Sequence, residues 1–238
     1  MPFDINSFRK SLLDSLASLP TAAFKSAPCV TLNTGYPFDM PSSIYPALKP
    51  AYLRSKDIVF YTSNSEQISS LLDDNAFYGS LKISLEHTFR KKIYDVKPSS
   101  IAQSFNLIPP GGHFPWHNDR NNLTILFVAS GSDQKLIIRY PFFFIRSLFY
   151  FLEGIRSCYQ FESIYRILFM FLKPLSFVFS SPHVIPLSTG TAVVFDGHLS
   201  FHSITNRCSQ YGSHFVLAYD LTSSFDFNHQ LSSYYGKN

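Results

Sequence analysis

The sequence predicts a mainly β protein, a sandwich or barrel with flanking helices. From Ser104 onward, short apolar runs of strand length are separated by glycine turns. No regular alternation of strand and helix runs along the chain, which argues against a parallel α/β sheet. The exception is residues 140–179, whose apolar run suits helices rather than strands.

The 238 residues suffice for one substantial core and are awkwardly short for two. Apolar residues make up 45% and charged residues 15%, with 25 Phe and 14 Tyr, so the chain folds rather than remaining disordered. A net charge of +4 suits anionic small molecules or an anionic membrane surface and is no nucleic-acid footprint. The one basic run, Arg90 to Lys92, reads as a solvated patch. Cys29, Cys158 and Cys208 are scattered, odd in number and without a CxxC pair. That argues against a zinc knuckle and for a reducing, cytoplasmic compartment. The N-terminal residues lack the basic and apolar regions of a secretory signal.

A helical lead-in is expected over residues 5–19, with Ile5, Phe8, Leu12, Leu16 and Leu19 on one side. Pro28 to Pro50 is rich in proline and small polar residues and is expected to be irregular. Ile58 to Tyr61 suits a strand, and Ser63 to Glu66 supplies a capping box for a helix through Leu72. A second helix is expected from Ser80 to about Ile93. Strands follow around Phe105–Leu107, Leu123–Val128, Lys135–Arg139, Thr191–Phe195, Phe201–Thr205 and His214–Tyr219.

The apolar segment 140–179 is interrupted by Arg146, Glu153, Arg156, Arg166 and Lys173, then broken by Pro174, Pro182 and Pro186. A spanning helix needs about 18 apolar residues without charge, so this segment does not cross a membrane. Two readings stand: amphipathic helices packed across the barrel, or a lipid-facing hydrophobic lid with its arginines at the headgroups.

His117-Asn118-Asp119 follows the corner Pro109-Pro110-Gly111-Gly112. In an extended strand His117 and Asp119 project to one face and Asn118 to the other. Two imidazoles and a carboxylate occupy one face of an iron(II) octahedron and leave three positions open. The third ligand must come from a distant strand, and His202 is the candidate. His198 competes, but Asp196-Gly197 beside it reads as a turn. His113 precedes His117 by four residues, a zinc spacing on a helix, yet the surrounding prolines and glycines forbid a helix there, so it reads as a loop residue rather than a substrate-pocket residue. Trp116 points away from His117 and reads as core packing at the barrel mouth, with substrate contact the alternative; Asn118, Arg120 and Asn121 suit substrate contact or a solvated loop equally.

Two stretches, Ile108 to Arg120 and Thr189 to Asn206, resemble the iron(II)/2-oxoglutarate-dependent oxygenases. The closest flavour is the bacterial proline hydroxylase and aspartyl/asparaginyl hydroxylase-like branch. The shared features are the Pro-Gly turn, the His-x-Asp, and a Gly-x-x-x-x-Phe strand leading to His202. The resemblance covers roughly residues 104–130 and 186–221. It implies a single domain, 1–238, built on a double-stranded β-helix (jelly-roll, cupin-like) core. Residues 1–100 form an α+β lead-in, 104–139 and 186–221 the barrel, and 140–179 a hydrophobic helical insertion.

It also implies Fe(II) held by His117, Asp119 and His202, with 2-oxoglutarate and O2 as co-substrates. Decarboxylation to succinate and CO2 is coupled to oxidation of a C–H bond, most simply a hydroxylation. One departure is plain. The family grips the far carboxylate of 2-oxoglutarate with an Arg on the last strand, where this chain carries His214. Arg207 is the second candidate, Arg139 and Lys135 the third; Asn206 is implied near the co-substrate, with a turn-stabilising role at least equally open. The expected partner is a small-molecule, amino-acid or peptidyl, or hydrophobic substrate, with no nucleic acid. The expected location is cytoplasmic, with peripheral membrane contact through 140–179 left open. Two rivals remain: a cupin-like metal-binding barrel without 2-oxoglutarate chemistry, and a membrane-peripheral interaction protein.

Overall fold

Short, largely apolar strands form two antiparallel sheets that face each other, with alternate side chains of each strand turned between them. The computed structural model describes residues 10–11, 13–15, 29–33, 49–52, 58–63, 75–95, 103–119, 121–159 and 162–220. In chain order these give β1 (Cys29–Asn33), β2 (Lys49–Tyr52), β3 (Ile58–Ser63), α1 (Asn75–Phe89), β4 (Tyr94–Asp95), β5 (Gln103–Ile108), β6 (His113–His117), β7 (Leu123–Ser130) and β8 (Gln134–Pro141). There follow α2 (Phe143–Tyr159), α3 (Glu162–Val178), β9 (Ser180–Leu187), β10 (Thr191–Asp196), β11 (Phe201–Asn206) and β12 (Gly212–Asp220).

One sheet runs β1-β10-β7-β12-β5-β3-β2, with β4 paired to β12; the other runs β6-β11-β8-β9. From β5 onward successive strands cross between the sheets, except at β8 and β9, which pair directly. This winding is a double-stranded β-helix, a jelly roll, as expected. Between the sheets lie Leu126 and Val128 of β7, Leu136 and Ile138 of β8, Val193 and Phe195 of β10, and Ile204 of β11. Each pair is spaced by two, as a strand with one inward face requires.

Several elements differ from the sequence expectation. Pro28 to Pro50 contains β1 and the start of β2. Helix α1 lies five residues earlier at its start and ends at Phe89, because Arg90 adopts the left-handed φ of 50° and the Glu86 carboxylate accepts the Ile93 N–H at 3.0 Å. Strand β9 carries Pro182 and Pro186, read in the sequence only as interruptions. Among the described residues it is an edge strand bonded on one side to β8, where proline's missing N–H is tolerated. Residues 10–11 and 13–15 are helical, within the lead-in helix expected over 5–19. The rest of that helix and the one expected after Ser63–Glu66 lie outside the described residues.

One end of the barrel is closed by amides. Asn206 Nδ2 donates to the carbonyls of Ile108 at 2.9 Å, Pro109 at 3.1 Å and Gln210 at 2.8 Å, while its Oδ1 accepts the Cys208 N–H at 3.1 Å. Gln134 lies across Gly131 and Gly212, where an added Cβ would collide with its amide; Gly131 also has φ of 109°.

The insertion is the pair of helices α2 and α3. Ile145, Phe149 and Leu152 of α2 and Leu172 of α3 pack with Leu199 and Tyr140. The opposite faces leave Phe143, Phe151, Met170, Phe171 and Val178 exposed. The hairpin leaves β8 at Pro141 and rejoins at Ser180, the end of the sheet where Arg139 pairs with Phe201. Among the described residues no helix is long and apolar enough to cross a membrane.

Candidate metal centre

At the other end of the barrel, His202 of β11 pairs directly with His117 of β6 across the antiparallel ladder. The two rings are 4.1 Å apart between centroids and inclined by 56°. Asp119 Oδ1 lies 3.3 Å from His117 Nε2 and 3.6 Å from His202 Nε2. One ligand atom from each of the three residues falls within 4.8 Å of the others. Ligands about 2.1 Å from a common ion and at right angles lie about 3 Å apart, so this donor set suits a divalent cation with three cis positions filled.

The ring orientation follows from the backbone. His117 Nδ1 meets the Pro115 carbonyl at 2.8 Å, and His202 Nδ1 meets the Ser200 carbonyl at 3.3 Å. A carbonyl only accepts, so each Nδ1 carries the proton and each Nε2 turns a lone pair toward Asp119. Phe114 packs on the His117 ring at 4.7 Å and Phe195 stands edge-on to His202 at 4.8 Å.

Strand β6 ends at His117, so Asp119 is not held by the strand pleat. A clamp to the β10–β11 loop places it instead. Asp119 N–H donates to the Gly197 carbonyl at 2.8 Å, and His198 Nδ1–H donates to the Asp119 carbonyl at 3.1 Å. Asn118 Nδ2 donates to the carbonyls of His198 at 3.2 Å and Ser200 at 2.9 Å. The Thr124 hydroxyl donates to Asp119 Oδ2, leaving Oδ1 facing the imidazoles. Gly197 is required by space, since an added Cβ would strike Asp119 Oδ2 and Thr124 Oγ1. Nothing local in the sequence marks Thr124, Gly197 and His198 as supports of the carboxylate. The Asp196-Gly197 turn was legible there, but its contact partner was not.

Burial alone would raise the Asp119 pKa. When the imidazoles are protonated, the charge of His202, with hydrogen bonding and charge from His117, joins the Thr124 hydroxyl in overriding it and holds the carboxyl well below the usual range. His202 is pushed down to about 4 by burial and by His117, against the pull of Asp119. An ionised carboxylate and a neutral imidazole are the forms that bind metal. The side chains of His117 and Asp119 are 31% and 18% exposed against 5% for His202, so the cluster opens to solvent on the His117 side.

The remaining sequence candidates are dispersed. Asn206 is not at this cluster but is spent on closing the far end of the barrel, its Nδ2 and Oδ1 both engaged. Arg207 is exposed in the turn after β11, with its N–H on the Asp133 carbonyl. Arg139 and Lys135 alternate with the inward Leu136 and Ile138 and so face outward; Arg139 lies 4.3 Å over the Phe177 ring. Trp116 also faces outward, stacked on Phe201 at 5.9 Å and edge-on to Phe177 at 5.6 Å. His113 is an exposed strand residue rather than a loop residue, and Asn118 is a tether of the loop. Arg120 lies outside the described residues.

His214 of β12 is inside the barrel. It pairs with Asn106 of β5 two residues from the Gly212–Ile108 pair, and Ile108 belongs to the inter-sheet core. It is fully buried, and neither ring nitrogen has a hydrogen-bond partner. Burial pushes it down to about 3.

No protein-family model and no curated protein matches the sequence. The fold is shared with solved 2OG-Fe(II) oxygenases. An oxidoreductase of the 2OG-Fe(II) oxygenase family from Burkholderia pseudomallei superposes with a TM-score of 0.51 at 11% identity, over 87% of this chain and 92% of that one. The non-heme alpha-ketoglutarate-dependent carbocyclase SnoK from nogalamycin biosynthesis gives 0.56 at 10% identity, over 94% and 93%. The epimerase SnoN from the same biosynthesis gives 0.53 at 10% identity, over 88% and 83%.

Proposed function

We propose that this chain is an iron(II)- and 2-oxoglutarate-dependent oxygenase that oxidises a C–H bond, most simply by hydroxylation. The observation that carries the proposal is the His117–His202 cross-strand pair with Asp119 at the mouth of a jelly roll. The similar structures support it through the fold, and two of them are named as alpha-ketoglutarate dependent.

His117 and His202 would bind iron through Nε2, and Asp119 through its carboxylate. Bound iron with 2-oxoglutarate supplies activation of O2 coupled to release of succinate and CO2. The protein's own share is positional. The two carbonyl-locked imidazoles and the Thr124-held carboxylate would present three ligand atoms to one ion without rearrangement. The Phe114 and Phe195 rings shield the ligand rings from water, and the more exposed His117 side is the approach for substrate.

The hairpin α2–α3 packs on Leu199, three residues before His202, and so stands at the same end as the metal cluster. We assign it to the boundary of the substrate pocket. Its exposed Phe143, Phe151 and Phe171 favour an apolar small molecule or an apolar side chain of an amino acid or peptide.

The test is an anaerobic iron(II) titration in the presence of 2-oxoglutarate, following the weak visible charge-transfer band of the chelate, then succinate release in air. A band that survives in both His117→Ala and Asp119→Ala overturns the ligand assignment. One observation favours a second reading, a metal-binding barrel without 2-oxoglutarate chemistry. Of the strands β5 to β12 only β8 carries Arg or Lys, and Lys135 and Arg139 face outward, whereas His214 stands inside. Metal binding without 2-oxoglutarate binding at millimolar concentration would establish that reading.

A further inference from the structure

This inference rests on the oxygenase reading above. We infer that His214 holds the far carboxylate of the 2-oxo acid and takes up one proton from solvent in doing so, so that co-substrate capture is coupled to pH.

Asn206 of β11 is hydrogen-bonded to the Ile108 carbonyl, and Ile108 pairs with Gly212, so Asn206 and Gly212 share one level. His214 is one inward position above that level, level with Ile204, and His202 is the next inward position above. Inward positions on a strand recur about every 6.6 Å. The His214 ring therefore stands about one such step below the metal ligands, on the opposite sheet. A five-carbon 2-oxo diacid chelating metal through its keto-acid end needs a partner for its second carboxylate at about that depth.

A neutral imidazole has one N–H and one lone pair, and burying both unpartnered is unfavourable. Both His214 nitrogens are in that state without ligand. Beside it in its sheet stand Asn106 from β5 and Val128 from β7, with Gly212 and Val216 on its own strand, and at its level on the facing sheet are Ile204 and Leu136. None is acidic or basic, and the next titratable group up the interior is His202. No neighbouring charge contributes to keeping His214 neutral; burial alone does so. A carboxylate brought beside it reverses the balance: a solvent proton adds to the lone pair, both nitrogens become donors, and the ion pair is enclosed. The permanent charge and bidentate fork of an arginine are absent here, so the grip is conditional on pH.

The experiment is anaerobic calorimetry of the iron(II)-loaded protein with 2-oxoglutarate, in buffers of differing ionisation enthalpy, between pH 6.5 and 8.5. The result expected is uptake of up to one proton per ligand and an affinity that weakens by up to about tenfold per pH unit as pH rises. 2-Oxobutyrate, a 2-oxo acid without the far carboxylate, should bind more weakly and take up no proton. His214→Arg should bind 2-oxoglutarate without the pH dependence, and His214→Leu should reduce it to the affinity of 2-oxobutyrate while iron binding is retained. Binding of 2-oxoglutarate with no proton uptake and no pH dependence overturns this inference and leaves the oxygenase reading intact. If neither 2-oxo acid binds at any pH although iron does, the oxygenase reading falls and takes the inference with it.

Discussion

His117 and His202 face each other as a direct cross-strand pair, with ring centroids 4.1 Å apart, and each ring is held by a carbonyl two residues before it in sequence. The pairing makes the two imidazoles one unit. Replacing either by Ala is expected to weaken iron(II) binding by more than about 100-fold, beyond what loss of a supporting contact does. Equilibrium dialysis against iron(II) under anaerobic conditions checks this, with circular dichroism to confirm the fold.

Gly197 and Thr124 together set the Asp119 carboxylate. Gly197→Ala pushes a methyl group into that carboxylate, and Thr124→Val removes the hydroxyl that holds Oδ2. Each is expected to weaken iron affinity about 10- to 100-fold. Gly197→Ala should also lower stability by about 1–3 kcal/mol through overpacking. Unchanged affinity in both variants would show that the carboxylate is free to reorient.

His214 makes metal-free stability depend on pH. Its folded pKa is pushed down to about 3, whereas an unfolded histidine titrates near 6.5. As pH falls below about 6.5 the unfolded chain binds the proton first, so stability declines toward acid. His214→Leu should flatten the melting temperature against pH between pH 7 and 5. At pH 7 it should add about 1 kcal/mol by removing an unpartnered buried imidazole. Parallel curves for the two proteins would contradict the assignment.

Asn206 joins the β5–β6 corner to the β11–β12 turn through its amide. Asn206→Ala is expected to cost about 1–3 kcal/mol in urea unfolding, since it strands buried carbonyls. The proton count on 2-oxoglutarate binding should stay as in the parent protein, because the amide closes the barrel and does not touch the co-substrate.

Leu199 and the exposed face of the hairpin separate packing from access. Leu199→Ala opens a cavity among Phe149, Leu152 and Leu172, at a cost of about 2–5 kcal/mol. Phe143→Ser with Phe171→Ser changes surface only, so stability should shift by less than about 1 kcal/mol and iron affinity not at all. A rise in KM for substrate without a change in kcat is the result expected if the hairpin bounds the pocket.

What the linear sequence determined was local. Short apolar runs between glycine turns placed most strands of the barrel, and strand periodicity turned Trp116 away from His117, while the prolines around His113 excluded a helical zinc pair. What only tertiary structure decided was long-range. The pairing of His202 with His117 is a matter of register between β11 and β6, and no local pattern specifies it. Strand β6 stops at His117, so Asp119 reaches the site through a clamp on Gly197 and His198 rather than through the pleat. Strand β9 stayed hidden because its prolines are permitted only at an edge, and edge position is a property of the whole sheet. Asn206 and His214 look equally apt for a co-substrate in one dimension. Folding commits the first to the chain's own carbonyls and leaves the second buried with both nitrogens unpartnered, because a buried polar group is assigned by the neighbours that surround it.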